Sequence, residues 1–131
     1  MPGPAPKRNA RRRNIRPDWR TLPADGFDGA VPAWPLPERD DTSDALWLDL
    51  WRTPQADAWN DLGWTRVVAR YAVLVLASER GEANAALLAE IRQLEDRLGL
   101  SPMAMKRLQW DVGSQTEAPV VADGNVVELF G

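Results

Sequence analysis

Histidine and cysteine are both missing from this chain of 131 residues. Without cysteine there is neither a disulfide nor a thiolate nucleophile, and a reducing compartment suits such a chain. Without histidine the commonest general base and the usual zinc ligand are lost together, and no Ser/His/Asp arrangement can be assembled. No G-x-x-x-x-G-K-[ST] loop is present to cradle nucleotide phosphates. The most apolar run, Tyr71 to Ala77, is seven residues long, where about 20 are needed to cross a membrane. No apolar stretch follows the basic N-terminus, so no secretory signal is read. The expectation is a chain that is not an enzyme, needs no cofactor or metal and does not enter a membrane.

What the chain does have is charge kept apart by sign. Residues 1–20 hold seven basic residues, Lys7, Arg8, Arg11, Arg12, Arg13, Arg16 and Arg20, against Asp18; the remainder holds nine basic and eighteen acidic residues. A basic arm on an acidic body is the pattern of a segment that seeks polyanions, and arginine's forked donors suit phosphate. Eight of the eleven prolines fall within residues 1–40, which rules out an early helix and favours extended backbone around Val31–Glu38.

Beyond that arm the apolar residues recur at helical spacing. The stretch DDTSD supplies an N-cap at Thr42 or Ser43 for a first helix over about 44–52, with Leu46, Trp47, Leu50 and Trp51 on its apolar face. Its acids, Asp40, Asp41, Asp44 and Asp49, are explained by capping and the helix dipole rather than by metal ligation. After Pro54, Gln55 to Trp59 reads as a short helical turn, and Asn60 or Asp61 caps a helix over about 62–80. That helix is apolar on most of its circumference, with Arg66 and Arg70 as its polar stripe. Gly81 breaks it.

The next stretch is the best punctuated. Leu87, Ile91, Leu94 and Leu98 form a narrow seam, Gly99 tolerates a left-handed stop, Ser101 caps the following helix and Pro102 suits its first turn. Met105, Leu108 and Val112 line one face of that last helix, Lys106 and Arg107 stand on another, and Gly113 closes it. Leu94, Leu98, Met105 and Leu108 also satisfy the apolar pattern of a helix-turn-helix, although Glu95 sits where a close crossing asks for a small residue. In the tail, two Val-Val pairs flank Ala-Asp-Gly-Asn, a hairpin signal. The seven tryptophans read as core.

The run Leu98-Gly-Leu-Ser-Pro followed by Met-Ala-Met-Lys-Arg-Leu-Gln-Trp, after a Leu/Glu-rich helix, resembles the small terminase subunits of tailed bacteriophages. So does the layout from Leu36 to Val112. The resemblance implies a packaging protein that binds viral DNA, engages the large ATPase-nuclease subunit, assembles with itself into a ring and works in the cytoplasm of the infected host.

These readings give an all-α protomer of about four helices. Residues 1–40 form a basic, proline-rich arm, 41–113 an oligomerising helical core and 114–131 a tail. The expected DNA contacts are the seven basic residues named above with Lys106 and Arg107. Tyr71, Leu74, Leu87, Ile91, Leu94 and Leu98 are expected at the interface between copies, since a core of roughly 70 residues is near the lower limit for standing alone. Val126, Leu129 and Phe130 are expected to meet a partner. The alternatives are a helix-turn-helix regulator reading DNA through residues 101–111, and a phage structural protein without a nucleic-acid role.

Overall fold

The computed structural model describes residues 18–39 and 41–113. Five helices and a two-stranded parallel sheet make up the described chain. In order they are β1 (Arg20–Leu22), α1 (Asp41–Leu50), α2 (Gln55–Leu62), α3 (Thr65–Ala77), a π-helical turn (Ser78–Glu82), α4 (Ala85–Leu98), α5 (Pro102–Leu108) and β2 (Trp110–Val112).

Helix α3 is central because it carries too little polar surface to lie on the outside. Val68, Ala69, Tyr71, Ala72 and Leu76 are buried, against α1, α2 and α4. The seam of α4 turns toward it, with Ile91, Leu94 and Leu98 buried. Fully burying one such aliphatic side chain contributes about 1.5–3 kcal/mol. At the α1–α2 end the core is aromatic. Trp34, Trp47, Trp51 and Trp59 follow one another edge to face, with ring centroids 5.0, 5.6 and 5.6 Å apart. Such pairs add about 0.5–1.5 kcal/mol each beyond their buried area. Two of these indoles also tie distant backbone: Trp59 Nε1 donates to the Leu98 carbonyl at 2.9 Å, and Trp47 Nε1 to that of Pro32 at 2.7 Å.

Three elements differ from the sequence expectation, each for a local reason. The boundary expected at Asn60–Asp61 lies later: the short turn expected over 55–59 runs on to Leu62 as α2, and the helix expected over 62–80 begins at Thr65. Gly63 adopts φ 74° and its N–H and that of Trp64 close the end of α2 on Asn60 and Trp59, so Asn60 and Asp61 end one helix rather than start another. The last helix stops at Leu108, where Gln109 takes the left-handed conformation at φ 65°. Trp110–Val112 is therefore a strand, and Val112 is no part of a helical face. It pairs in parallel with Arg20–Leu22, in register Arg20 with Trp110 and Leu22 with Val112. The folded body thus reaches back into the segment expected to be arm: Leu22 is completely buried, and Phe27, Trp34 and Leu36 pack on the core.

Gly99 fulfils its expected role twice over. Its φ is 74°, and a Cβ there would stand 2.3 Å from the Trp110 ring. Only glycine lets strand β2 cross the end of α4 so closely.

Candidate functional site

The basic residues expected to carry function fall into three groups. Lys7, Arg8, Arg11, Arg12, Arg13 and Arg16 lie outside the described residues, as do Val126, Leu129 and Phe130 in the tail.

Arg20 lies at the head of β1, where the sheet aims its side chain at α2. One guanidinium nitrogen sits 2.7 Å from Asp57 and 2.6 Å from Asp61. The hydrogen bond to Asp57 first, and that to Asp61 after it, hold its pKa above the usual value against the opposing effect of partial burial. Arg20, expected as a phosphate contact, clamps the sheet to the helix through this pair.

Lys106 and Arg107 form the third group, on the outer face of α5. Lys106 is exposed beside a shallow recess of about 360 Å³ walled by Trp19, Pro102, Met105 and Trp110. Arg107 reaches back to α4 and bonds both the carboxylate of Asp96, at 2.9 Å, and its carbonyl, at 2.8 Å. That pairing is solvent-exposed and of a kind worth at most about 1 kcal/mol, so the guanidinium can exchange Asp96 for another anion.

The residues expected to bind a second copy are placed differently. Tyr71, Ile91, Leu94 and Leu98 are between 0% and 8% exposed within a single chain, and Leu74 and Leu87 are half-buried against the same core. The α3–α4 packing within one protomer consumes the seam. The Tyr71 hydroxyl donates to Glu95 at 2.7 Å across this packing. Glu95, which crowds a helix-turn-helix crossing, has this intrachain use. Burial first, then the Glu95 bond and its charge, push the Tyr71 phenol above its ordinary range.

Sequence reasoning missed the cleft that this packing leaves open. Between α3, α4 and α5 lies a cavity of about 390 Å³ floored by Trp64, Val67, Leu94, Leu98 and Leu108, with Arg70, Arg97 and Arg107 around it. Arg66 and Arg70 stood out as a polar stripe on an apolar helix, but no spacing within one helix tells that Arg97 of another lines the same cavity. Among the described residues no cluster of acidic side chains is arranged to hold a metal ion, and no helix is long and apolar enough to cross a membrane.

The family model described as phage terminase small subunit matches residues 1–129. No curated protein and no solved structure matches the chain.

Proposed function

Because the chain belongs to the phage terminase small-subunit family, we propose that it is the non-catalytic partner in viral genome packaging. In this reading it binds viral DNA, recruits and regulates the large ATPase-nuclease subunit, and acts as a ring-like homo-oligomer in the infected host cell. The observation that carries the reading is the family match along nearly the whole chain. The separation of charge supports it: the basic residues Lys7 to Arg16 precede an acidic body, an arrangement that brings phosphate to one end of the molecule and repels it from the rest. Lys106, exposed on α5, and Arg107, held only by a surface ion pair, add to that contact. The tail residues Val126, Leu129 and Phe130 offer an apolar motif to the large subunit. Since Tyr71, Ile91, Leu94 and Leu98 are covered inside the protomer, contact between copies falls to outward-facing residues.

A salt series on random duplex DNA tests the binding step. With Lys7, Arg8, Arg11, Arg12, Arg13, Arg16, Lys106 and Arg107 each meeting one phosphate, log K should fall against log salt with a slope near −7, about 0.9 per contact. Replacing the six from Lys7 to Arg16 by glutamine should reduce the slope to about −2, the share left to Lys106 and Arg107. An unchanged slope would remove the arm from the mechanism. Native mass spectrometry tests the assembly, which should appear as a closed oligomer larger than a dimer; a monomer would count against the ring.

A further inference from the structure

Among the described residues, two of the arginines that take part in no ion pair line the same cavity. Arg70 on α3 and Arg97 on α4 are exposed, and among the described residues neither takes part in an ion pair. Both stand over the apolar cleft between α3, α4 and α5. Both also line a second recess, of about 270 Å³, that continues past Leu94 to Leu36, Val73 and Leu74, with Glu90 at its edge. Sharing Arg70, Leu94 and Arg97, the two cavities make one trough with an apolar floor and, above it, two cations that no described residue pairs. Guanidinium groups that close to apolar surface are weakly hydrated and favour a carboxylate delivered together with apolar side chains.

The chain itself contains such a ligand. Residues 117–130 carry Glu117, Asp123 and Glu128 with no basic residue, interleaved with Val120, Val121, Val126, Val127, Leu129 and Phe130. The last described residues before this segment are near the trough. Trp64, in the cleft wall, has its ring 6.1 Å from that of Trp110, three positions before Gly113. From Gly113 the rest of the chain can span roughly 60 Å when extended, at about 3.3 Å per residue, far more than the trough requires.

The geometry points to an intramolecular docking site: the acidic, apolar segment 117–130 seats in the trough between α3, α4 and α5, its carboxylates meeting Arg70 and Arg97 and its valine, leucine and phenylalanine side chains covering the floor. The segment complements the trough in charge and in polarity. It contains Val126, Leu129 and Phe130, the residues proposed above to meet the large subunit, so the docked state is that of the free protein, and it is tested on the free chain, without DNA or the large subunit.

Amide hydrogen exchange on the full chain tests it. Residues 120–130 should exchange at least tenfold more slowly in the wild type than in the Arg70→Glu/Arg97→Glu variant, while α3 and α4 exchange alike in both. Free-chain exchange of the segment in the wild type would overturn the proposal, and so would protection that survives both reversals. A second copy filling the trough would protect residues 64–70 in a concentration-dependent way and leave the segment unprotected, which also overturns it. Should the double reversal fail to fold, the cysteine-free background allows a direct check with Val67→Cys and Leu129→Cys. A disulfide formed within one chain under mild oxidation supports the docking; its absence, or linkage only between chains, refutes it.

Discussion

Arg20 and Tyr71 are polar residues whose roles are set by a neighbour from elsewhere in the chain. Arg20 holds Asp57 and Asp61 against the sheet, so Arg20→Gln leaves two carboxylates facing each other on α2. With the pair partly solvated, the cost is expected to be about 1 kcal/mol, a drop in Tm of about 4–8 °C for a body of this size. DNA affinity at fixed salt should be unchanged, and fluorescence anisotropy on duplex DNA checks the second half of that statement. Tyr71 supplies a pH signature. Below about pH 10, the ordinary tyrosine value, its phenol is neutral whether the chain is folded or not. Above it, the unfolded chain ionises while burial and Glu95 keep the folded phenol protonated. The unfolded state then binds fewer protons, so stability falls as pH rises from 10 onward. Urea unfolding at a series of alkaline pH values should show that loss in the wild type and a smaller one in Tyr71→Phe. As the chain's single tyrosine, Tyr71 also reports its own ionisation through the change in phenolate absorbance, without overlap from another phenol.

Among the elements, α4 and α5 depend most on their ends. The Asn84 side chain accepts from the Leu87 N–H at 2.9 Å, and the Ser101 hydroxyl from that of Ala104 at 3.1 Å. Replacing Asn84 or Ser101 by alanine is expected to cost about 1 kcal/mol each, with Asn84→Asp nearly neutral. The urea midpoint should move while the slope m stays constant. These two helices were also the most legible part of the sequence, because Gly99, Ser101 and Pro102 each act within a few residues of where they stand. Gly63 was as visible as Gly99, yet the apolar run after it masked the end of α2. The strands could not be read: three residues show no alternation, Gln109 is not a residue type that announces a left-handed turn, and the strand that rewards that turn lies far away in sequence. The trough over Arg70 and Arg97 was hidden for a related reason, since each arginine reads as solvated on its own helix and only packing brings the two helices together.

For the molecule as a whole, the β1–β2 pair joins the first and last described segments. Thr21 and Asp111, hydrogen-bonded across it at 3.2 Å, are 90 residues apart. Leu22, with no exposed surface, anchors the closure. Leu22→Ala is expected to destabilise by about 2–5 kcal/mol. Closing so large a loop is entropically costly and is repaid only after the helices have packed. The penalty should therefore appear almost wholly as faster unfolding, with the refolding arm of the chevron little changed. The same pairing bears on synthesis. The helices can pack as they leave the ribosome, but β1, made before all of them, has no partner until residue 112 has cleared the exit tunnel. Between the making of β1 and that of β2, a translating chain consequently carries an open strand edge, and protection of that edge falls to whatever meets it co-translationally.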